Sequence, residues 1–126
     1  MSDINIVAIE DDDVTLEIIK NILEEALGAF VFTFSRSEQA LEFLVKQTPD
    51  TLQLIISDQN MPVYNGLTLL KMCHAVNLNI PFILLTADVS RDMVVEAMQV
   101  GVDDYIAKPI VKDCLVAKVK DALKLS

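Results

Sequence analysis

The sequence predicts an α/β protein in which helices cover both faces of a five-stranded parallel sheet. Three observations lead to this prediction: five short runs of apolar residues, helical spacing of apolar residues between the runs, and a regular alternation of the two along the 126 residues. Strands that are apolar at almost every position are buried on both faces, as a parallel sheet covered by its crossover helices requires.

The candidate strands are short and rich in β-branched and aromatic residues, a composition that favours strands over helices. They are the runs 4–9, 30–34, 54–56, 82–85 and 105–107. Pro81 stands directly before the fourth run, where the missing N–H group of proline disturbs a sheet least.

Between these runs, apolar residues recur at helical spacing and predict five helices. The residues that mark their apolar faces are Leu16, Ile19 and Leu23; Ala40, Leu41 and Leu44; Leu67, Leu70 and Cys73; Val94, Ala97 and Met98; and Leu115, Val119 and Ala122. Ser35 and Glu38 have the spacing of a capping box before the second helix. Gly28 and Gly101 are expected to end the first and fourth helices. With no linker or repeat along the chain, we expect one domain over residues 1–126.

The charge balance limits the class of partner. Ten basic and nineteen acidic residues give a formal net charge of −9. Nucleic acids and anionic membranes both require basic patches, so we expect neither as a partner.

The first residues lack the pattern of a signal peptide, and no run reaches membrane-spanning length, so we expect a cytoplasmic protein. Cys73 and Cys114 have no metal-ligand spacing and are expected to be free thiols.

Acidic residues follow two strands that should be neighbours. Ligands of an open parallel sheet bind outside the carboxyl ends of the strands, and the flavodoxin-like order 2-1-3-4-5 places the first strand beside the third. Glu10 and Asp11, after the first strand, are therefore expected to meet Asp58, after the third. Clustered carboxylates repel each other unless a cation lies among them. Hard oxygen ligands without His or Cys favour Mg²⁺ or Mn²⁺.

The other two strand ends carry residues suited to phosphate chemistry. Thr86 follows the fourth strand and offers a hydroxyl donor for a phosphoryl oxygen, while Lys108 follows the fifth strand and adds a mobile positive charge. Each feature alone has a bland explanation, since an acidic run after a strand is commonly a solvated helix N-terminus. Phosphoryl chemistry is indicated by the combination of these residues, which follow the first, third, fourth and fifth strands.

Four blocks of this sequence resemble the receiver domains of response regulators, the CheY-like family of two-component signalling. They are IVAIEDD at 6–12, LIISDQNMP at 54–62 with Gly66, LLTA at 84–87 and DYIAKP at 104–109. Their order and spacing agree with the family over essentially the whole chain. The resemblance implies a phosphorylation-dependent switch whose partners are a sensor histidine kinase, or a phosphotransfer protein, and a downstream protein target.

The resemblance also implies roles for the residues at the strand ends. Asp58 would accept a phosphoryl group from a phosphohistidine. Asp11 and Asp58 would bind Mg²⁺ directly, Glu10 would bind it through water, and Asn60 would offer its backbone carbonyl. Lys108 would pair with the phosphoryl group.

In the same family, signalling and dephosphorylation depend on residues around the phosphoacceptor. Thr86 would move toward the phosphoryl group, and Tyr105 would follow from an outward to an inward rotamer. Asn60 and Asp88 would tune dephosphorylation, and their polarity leads us to expect a short-lived phosphoryl group. The peptide bond 108–109 would be cis. The signal would leave through the fourth helix, the fifth strand and the fifth helix.

Three other functions remain as alternatives. An aspartyl-phosphate hydrolase of the haloacid-dehalogenase type needs an Asp-x-Asp pair on the first strand, whereas the acids here are contiguous. A flavin-binding electron carrier needs a first loop that accepts a phosphate, which four acids would repel. A degenerate receiver would be a constitutive interaction module. We expect no enzyme, only weak self-phosphorylation and autodephosphorylation.

Overall fold

Five strands and five helices alternate along the chain in the computed structural model, which describes residues 3–125. The strands are β1 (Asn5–Ile9), β2 (Phe30–Phe34), β3 (Leu54–Asp58), β4 (Phe82–Thr86) and β5 (Asp104–Ala107). The helices are α1 (Asp13–Leu27), α2 (Ser37–Leu44), α3 (Gly66–Ala75), α4 (Arg91–Val100) and α5 (Lys112–Leu123). All ten predicted elements are confirmed, with strand ends displaced by one or two residues. None of the described helices has the length and apolar character needed to cross a membrane.

The strands form one parallel sheet in the order β2-β1-β3-β4-β5, as predicted. In this register Ile9, at the end of β1, lies opposite Phe34 of β2 and Ser57 of β3. Asp58 at the end of β3 lies opposite Leu85 of β4. Because all strands run the same way, their carboxyl ends share one edge, and the loops that follow β1, β3, β4 and β5 lie there.

Alternate side chains of each strand enter two separate cores, one on each face of the sheet. Val7 and Ile9 of β1 point to the face that α2, α3 and α4 cover, whereas Ile6 and Ala8 point to the face of α1 and α5. Strands β3 and β4 are buried at every position. This double burial explains why β3 and β4 carry continuous apolar runs rather than an alternation of apolar and polar residues.

Two of the predicted helix ends agree with the structure, and one helix start does not. Gly28 and Gly101 adopt positive φ angles of 64° and 110° at the ends of α1 and α4. The capping box of Ser35 and Glu38 is wrong, because α2 begins one residue later than that spacing requires. Arg36 is the N-cap residue and makes no side-chain cap hydrogen bond. Glu38 instead accepts a hydrogen bond from Arg36 Nε at 2.6 Å.

The apolar face predicted for α4 also needs one correction. Met98 is 56% exposed, although its spacing assigns it to the buried face. Met93, one helical turn nearer the start of α4, packs against the core instead, and Ala97 is the buried residue of this helix. The face of α4 that carries Met98 therefore points away from the sheet.

Candidate functional site

Three carboxylates meet at the carboxyl edge of the sheet. Glu10 and Asp11 follow β1, and Asp58 is the last residue of β3; each offers an oxygen, and these oxygens lie within 4.8 Å of one another. α1 begins directly after these acids, and Asp12 is its N-cap residue, accepting a hydrogen bond from Thr15 N at 3.1 Å. Glu10 and Asp58 are almost fully buried, whereas Asp11 is exposed. The predicted meeting of these three side chains is present in the structure.

The amino group of Lys108 joins two of the three carboxylates. Its Nζ lies 2.6 Å from Glu10 Oε1 and 3.0 Å from Asp58 Oδ2. Lys108 is fixed at the end of β5, where its backbone N–H donates to Thr86 O at 2.9 Å, and its peptide bond to Pro109 is cis, as expected. The side chain thus brings a positive charge to a pair of buried acids that would otherwise repel each other.

Burial and neighbouring charge set the ionisation of this group. Burial, together with the nearby Asp58 carboxyl group, raises the pKa of Glu10 from 4.5 to about 7, although Lys108 opposes the shift. Burial disfavours the ammonium form of Lys108, but its hydrogen bonds with Glu10 and Asp58 outweigh this and raise the pKa of Lys108. Lys108 therefore stays charged over the pH range in which Glu10 titrates.

The donor set fits a small divalent cation. Glu10 Oε2 is buried and is the one such side-chain polar atom without a hydrogen-bond partner within residues 3–125. A buried carboxylate oxygen without a partner is costly, and water on a cation can supply the missing hydrogen bond. Carboxylate oxygens from Glu10, Asp11 and Asp58, with no sulfur or imidazole among them, are ligands suited to Mg²⁺ or Mn²⁺.

The backbone around Asp58 is held closely by its neighbours. Ser57 Oγ donates to Asp58 O at 2.9 Å, and Asn60 N lies 3.4 Å from Asp58 Oδ1. A Cβ atom on Gly66 would come within 2.6 Å of Asp58 O and 2.8 Å of the Leu84 side chain. Glycine at position 66 therefore allows α3 to begin directly against the strand that carries Asp58.

Gln59 closes the loop between β3 and α3, a role that the sequence did not reveal. Its backbone oxygen accepts a hydrogen bond from Gly66 N at 3.1 Å, and its side-chain Oε1 accepts one from Leu67 N at 3.0 Å. Gln59 is 8% exposed. The sequence shows only that a polar residue directly follows the third strand. It does not show that this residue is buried, and so it gave no sign of the role of Gln59.

Thr86 is buried at the end of β4, but its hydroxyl group faces its own loop. Thr86 Oγ1 accepts a hydrogen bond from Asp88 N at 2.9 Å and donates to Asp88 O at 3.1 Å. Asp88 and Asn60 are both exposed at the rim of the site. The structure thus places Thr86 at the predicted edge of the sheet, hydrogen-bonded to the loop that directly follows β4 rather than to the carboxylates.

Tyr105 is half-buried on β5 and is held by a lysine from α5. Lys118 Nζ lies 4.9 Å from the centre of the Tyr105 ring and donates to Tyr105 O at 2.6 Å. The same amino group is 3.1 Å from Asp104 Oδ1. Tyr105 also packs against the core cluster on the face of the sheet that α2, α3 and α4 cover. Tyr105 therefore contacts α5 through Lys118 and the core cluster to which α4 contributes Ala97.

Comparison with known proteins points to one family. The family model of the response regulator receiver domain matches residues 6–120. The DNA-binding transcriptional regulator NtrC of Escherichia coli is 39% identical over 121 residues, which cover 94% of this chain and 24% of NtrC. The chemotaxis protein CheY homolog of Campylobacter jejuni is 30% identical over 120 residues, which cover 94% of this chain and 91% of that protein.

A solved structure agrees with these sequence relatives. The receiver domain of the Francisella response regulator 1452 superposes with a TM-score of 0.88 at 29% identity, over 97% of this chain and 98% of that one. The chain spans about a quarter of the length of the NtrC relatives and most of the length of the CheY homolog.

Proposed function

The chain belongs to the family of response regulator receiver domains, and from this we propose that it is a two-component signalling switch that carries its phosphoryl group on Asp58. Receiver domains are signalling switches rather than classical enzymes. We propose that residues 1–126 form one such receiver unit. The observation that carries the proposal is Lys108 Nζ, which lies 2.6 Å from Glu10 and 3.0 Å from Asp58, because it brings a positive charge to the proposed phosphoacceptor.

Asp58 would act as the nucleophile toward the phosphohistidine of a sensor histidine kinase or phosphotransfer protein. One carboxylate oxygen of Asp58 forms a bond to phosphorus while the phosphorus–nitrogen bond of the donor breaks. The departing imidazole nitrogen keeps the electron pair and takes up a proton from water. Such a transfer requires little covalent work from the protein, because positioning and charge neutralisation do most of it. Here Lys108 supplies charge, and the buried backbone of β3 supplies position.

Mg²⁺, or Mn²⁺ in its place, would be held beside Asp58 by this chain's own oxygens. Asp11 and Asp58 would contribute carboxylates, Asn60 its backbone carbonyl, and Glu10 a contact through water. When bound, such a cation supplies positive charge to the phosphoryl oxygens. The partnerless Oε2 of Glu10 supports this assignment.

The alternatives fit the geometry less well. For a haloacid-dehalogenase type of hydrolase, a second acid two residues after the first would have to join the site. Asp13 instead begins α1, with Asp12 as its N-cap, and neither is among the three clustered carboxylates. A flavin phosphate would meet the same acidic loop and be repelled.

The phosphodonor would dock on an apolar surface beside Lys108. Ile18 of α1, which is 46% exposed, lines a cavity of about 180 Å³ together with Pro109, Ile110 and Lys108 itself. We call Ile18, Pro109 and Ile110 the donor patch. A donor seated there would bring its phosphohistidine to the amino group that contacts Asp58.

Phosphorylation would be read by other proteins through α4, β5 and α5. Thr86 would turn from Asp88 toward the phosphoryl group, and Tyr105 would change rotamer into the space that opens. The contact of Lys118 with Tyr105 ties α5 to this movement. The downstream target would be a protein, because the net charge of −9 disfavours nucleic acid.

Incubation with Mg²⁺ and acetyl phosphate tests the proposal. Intact-mass measurement should show one added phosphoryl group on the wild-type protein and on Asp13→Ala, a matched acid outside the cluster. Asp58→Ala should show none. No mass gain in the wild-type protein, or a gain that survives in Asp58→Ala, would refute Asp58 as phosphoacceptor.

The phosphoryl group is expected to be short-lived. Asn60 and Asp88 are polar and exposed, so water reaches the proposed acyl phosphate past both side chains. After removal of acetyl phosphate, the phosphorylated fraction should decay within minutes rather than hours, and replacing Asn60 with a bulky apolar residue should slow the decay. A wild-type phosphoryl group that persists for many hours with Mg²⁺ present would contradict this expectation.

A further inference from the structure

The serine at the start of α2 does not cap its own helix. A serine hydroxyl at a helix start commonly accepts a hydrogen bond from a nearby backbone N–H group. Ser37 is the first residue of α2, yet its Oγ donates to Pro62 O at 2.7 Å and accepts from Tyr64 N at 3.1 Å. The hydroxyl group thus connects α2 to the loop between β3 and α3.

The two atoms that Ser37 contacts are the ends of a strained turn. Tyr64 N also donates to Pro62 O at 3.0 Å, which closes a three-residue turn around Val63. Val63 has a φ of 73°, a conformation that is rare and strained for a β-branched residue. We call residues 62–64 the Val63 turn.

The side chain of Val63 does not hold this turn in place. Val63 is 70% exposed, so packing contributes little to its conformation. Ser37, by contrast, is 1% exposed, and its hydroxyl group touches both ends of the turn. Loss of the hydroxyl group would leave Pro62 O and Tyr64 N with only the hydrogen bond that they make to each other across the turn.

The Val63 turn lies in the same loop as the proposed cation ligand Asn60. At its base this loop is closed by Gln59, through Gly66 N and Leu67 N. Asn60 follows Gln59 directly and precedes the Val63 turn by two residues. The backbone of Asn60 is therefore fixed from one side by Gln59 and from the other by the turn that Ser37 holds.

We propose that Ser37 is a positioning residue of the cation site, because its hydroxyl group holds the Val63 turn and through it the Asn60 backbone carbonyl. The inference rests on the proposed function in one respect, since it takes the Asn60 carbonyl as a ligand of Mg²⁺. A residue that orients a metal ligand without touching the metal commonly changes metal affinity when it is removed.

Two measurements on the unphosphorylated protein test this role of Ser37. The first is amide hydrogen exchange at Tyr64, which reports the turn, and the second is Mg²⁺ affinity from calorimetric titration. In Ser37→Ala, we expect faster exchange at Tyr64 and roughly 10-fold weaker Mg²⁺ binding. Ser35→Ala removes the hydroxyl group of an exposed serine that lines one cavity with Ser37 and Val63, and Ala40→Gly weakens α2 away from the loop; neither should change either quantity.

Failure of the role of Ser37 and failure of the proposed function give different results in these measurements. Unchanged exchange at Tyr64 in Ser37→Ala would show that the hydroxyl group does not hold the turn, and unchanged Mg²⁺ affinity would show that the turn does not place the ligand. Equal losses in Ser37→Ala and Ala40→Gly would also overturn the inference, because a general weakening of α2 would then suffice. If the wild-type protein binds no Mg²⁺, the proposed function fails, and faster exchange at Tyr64 would still support the contact itself.

Discussion

Lys108 reaches the buried acids from β5, across the carboxyl end of β4, and this long reach decides the charge of the site. β5 does not neighbour β1 or β3 in the sheet, so only a long side chain can contact Glu10 and Asp58 from there. While Lys108 stays protonated, the raised pKa of Glu10 makes the Glu10 carboxyl group change charge near neutral pH.

The pH dependence of Mg²⁺ binding follows from the raised pKa of Glu10. Because that pKa is about 7, the free protein carries a protonated Glu10 below this value and a carboxylate above it. Mg²⁺ affinity should therefore rise between pH 6 and pH 8 and level off beyond. In Glu10→Gln this rise should disappear. Calorimetric titration at several pH values measures it, and equal wild-type affinity at pH 6 and pH 8 would contradict the assignment.

The same shift affects the stability of the metal-free protein, with the opposite sign. Above pH 4.5 an exposed Glu10 in the unfolded chain loses its proton, whereas the folded protein keeps it up to about pH 7. Because the folded state then binds more protons, the contribution of Glu10 to the free energy of unfolding falls as the pH rises through this window. Glu10→Gln removes this contribution and serves as the reference in urea denaturation.

Gly66 is a second position that shapes the site, because the absence of a side chain there leaves room for the backbone of Asp58. Gly66→Ala places a Cβ atom 2.6 Å from Asp58 O, so the backbone of Asp58 or of α3 must move. We expect a loss of about 1–3 kcal/mol in the free energy of unfolding, together with slower phosphorylation by acetyl phosphate. Urea denaturation and intact-mass kinetics measure the two effects.

The matched control is Gly28→Ala. Gly28 has a φ of 64°, but no atom lies within 4 Å of a Cβ added there. Alanine should therefore cost about 1–2 kcal/mol through the left-handed backbone alone and leave phosphorylation unchanged. Equal phosphorylation rates in both variants would mean that the contact between Gly66 and Asp58 does not affect the site.

At the scale of elements, α1 and the residues after β5 contribute to two different tasks. α1 begins at Asp13, so Glu10 and Asp11 lie between the end of β1 and the start of this helix, at the sheet edge. One turn later, Ile18 lines the apolar cavity that also contains Lys108 and Pro109. The same pair of segments thus carries both the charge of the site and the proposed docking surface for the donor.

A charge in the donor patch should separate these two tasks. In Ile18→Glu, phosphoryl transfer from a histidine kinase domain should slow roughly 10-fold, because an apolar contact is lost and a charge must be desolvated. Phosphorylation by acetyl phosphate needs no docking and should be unchanged. Val95→Glu, a similarly exposed apolar residue on α4, is the control. Equal slowing with both phosphodonors would place the defect in the site rather than in docking.

For the whole molecule, the sequence was sufficient to predict the fold and the meeting of the acids. Strands apolar throughout required a covered parallel sheet, and a parallel sheet brings Glu10, Asp11 and Asp58 to one edge. Lys108 was also predictable, because it follows the last strand at the same edge. These features depend on the period of the apolar residues, which a single sequence displays, and on the strand order, which we took from the flavodoxin-like fold class.

The loop contacts were not predictable, because they depend on which polar side chains become buried. Ser35 with Glu38 had the spacing of a helix cap, yet α2 begins later, and Ser37 bonds to a loop 25 residues away. Gln59 carried no recognisable pattern, although its side chain closes the loop after Asp58. Such hydrogen bonds form because the fold brings together segments that are far apart in the sequence. The local spacing of residues does not indicate which of these segments will meet.

The central claim is that this assembly of strand ends makes Asp58 the phosphoacceptor, and chemical trapping tests it most directly. The protein is phosphorylated with acetyl phosphate and Mg²⁺, treated with sodium borohydride, and cut into peptides for mass spectrometry. Hydride reduces an acyl phosphate to an alcohol and releases phosphate, so a phosphorylated aspartate becomes homoserine. We predict homoserine at position 58 and at no other acidic position, including Asp11 and Asp13. Homoserine at another position, or at none, would contradict the account.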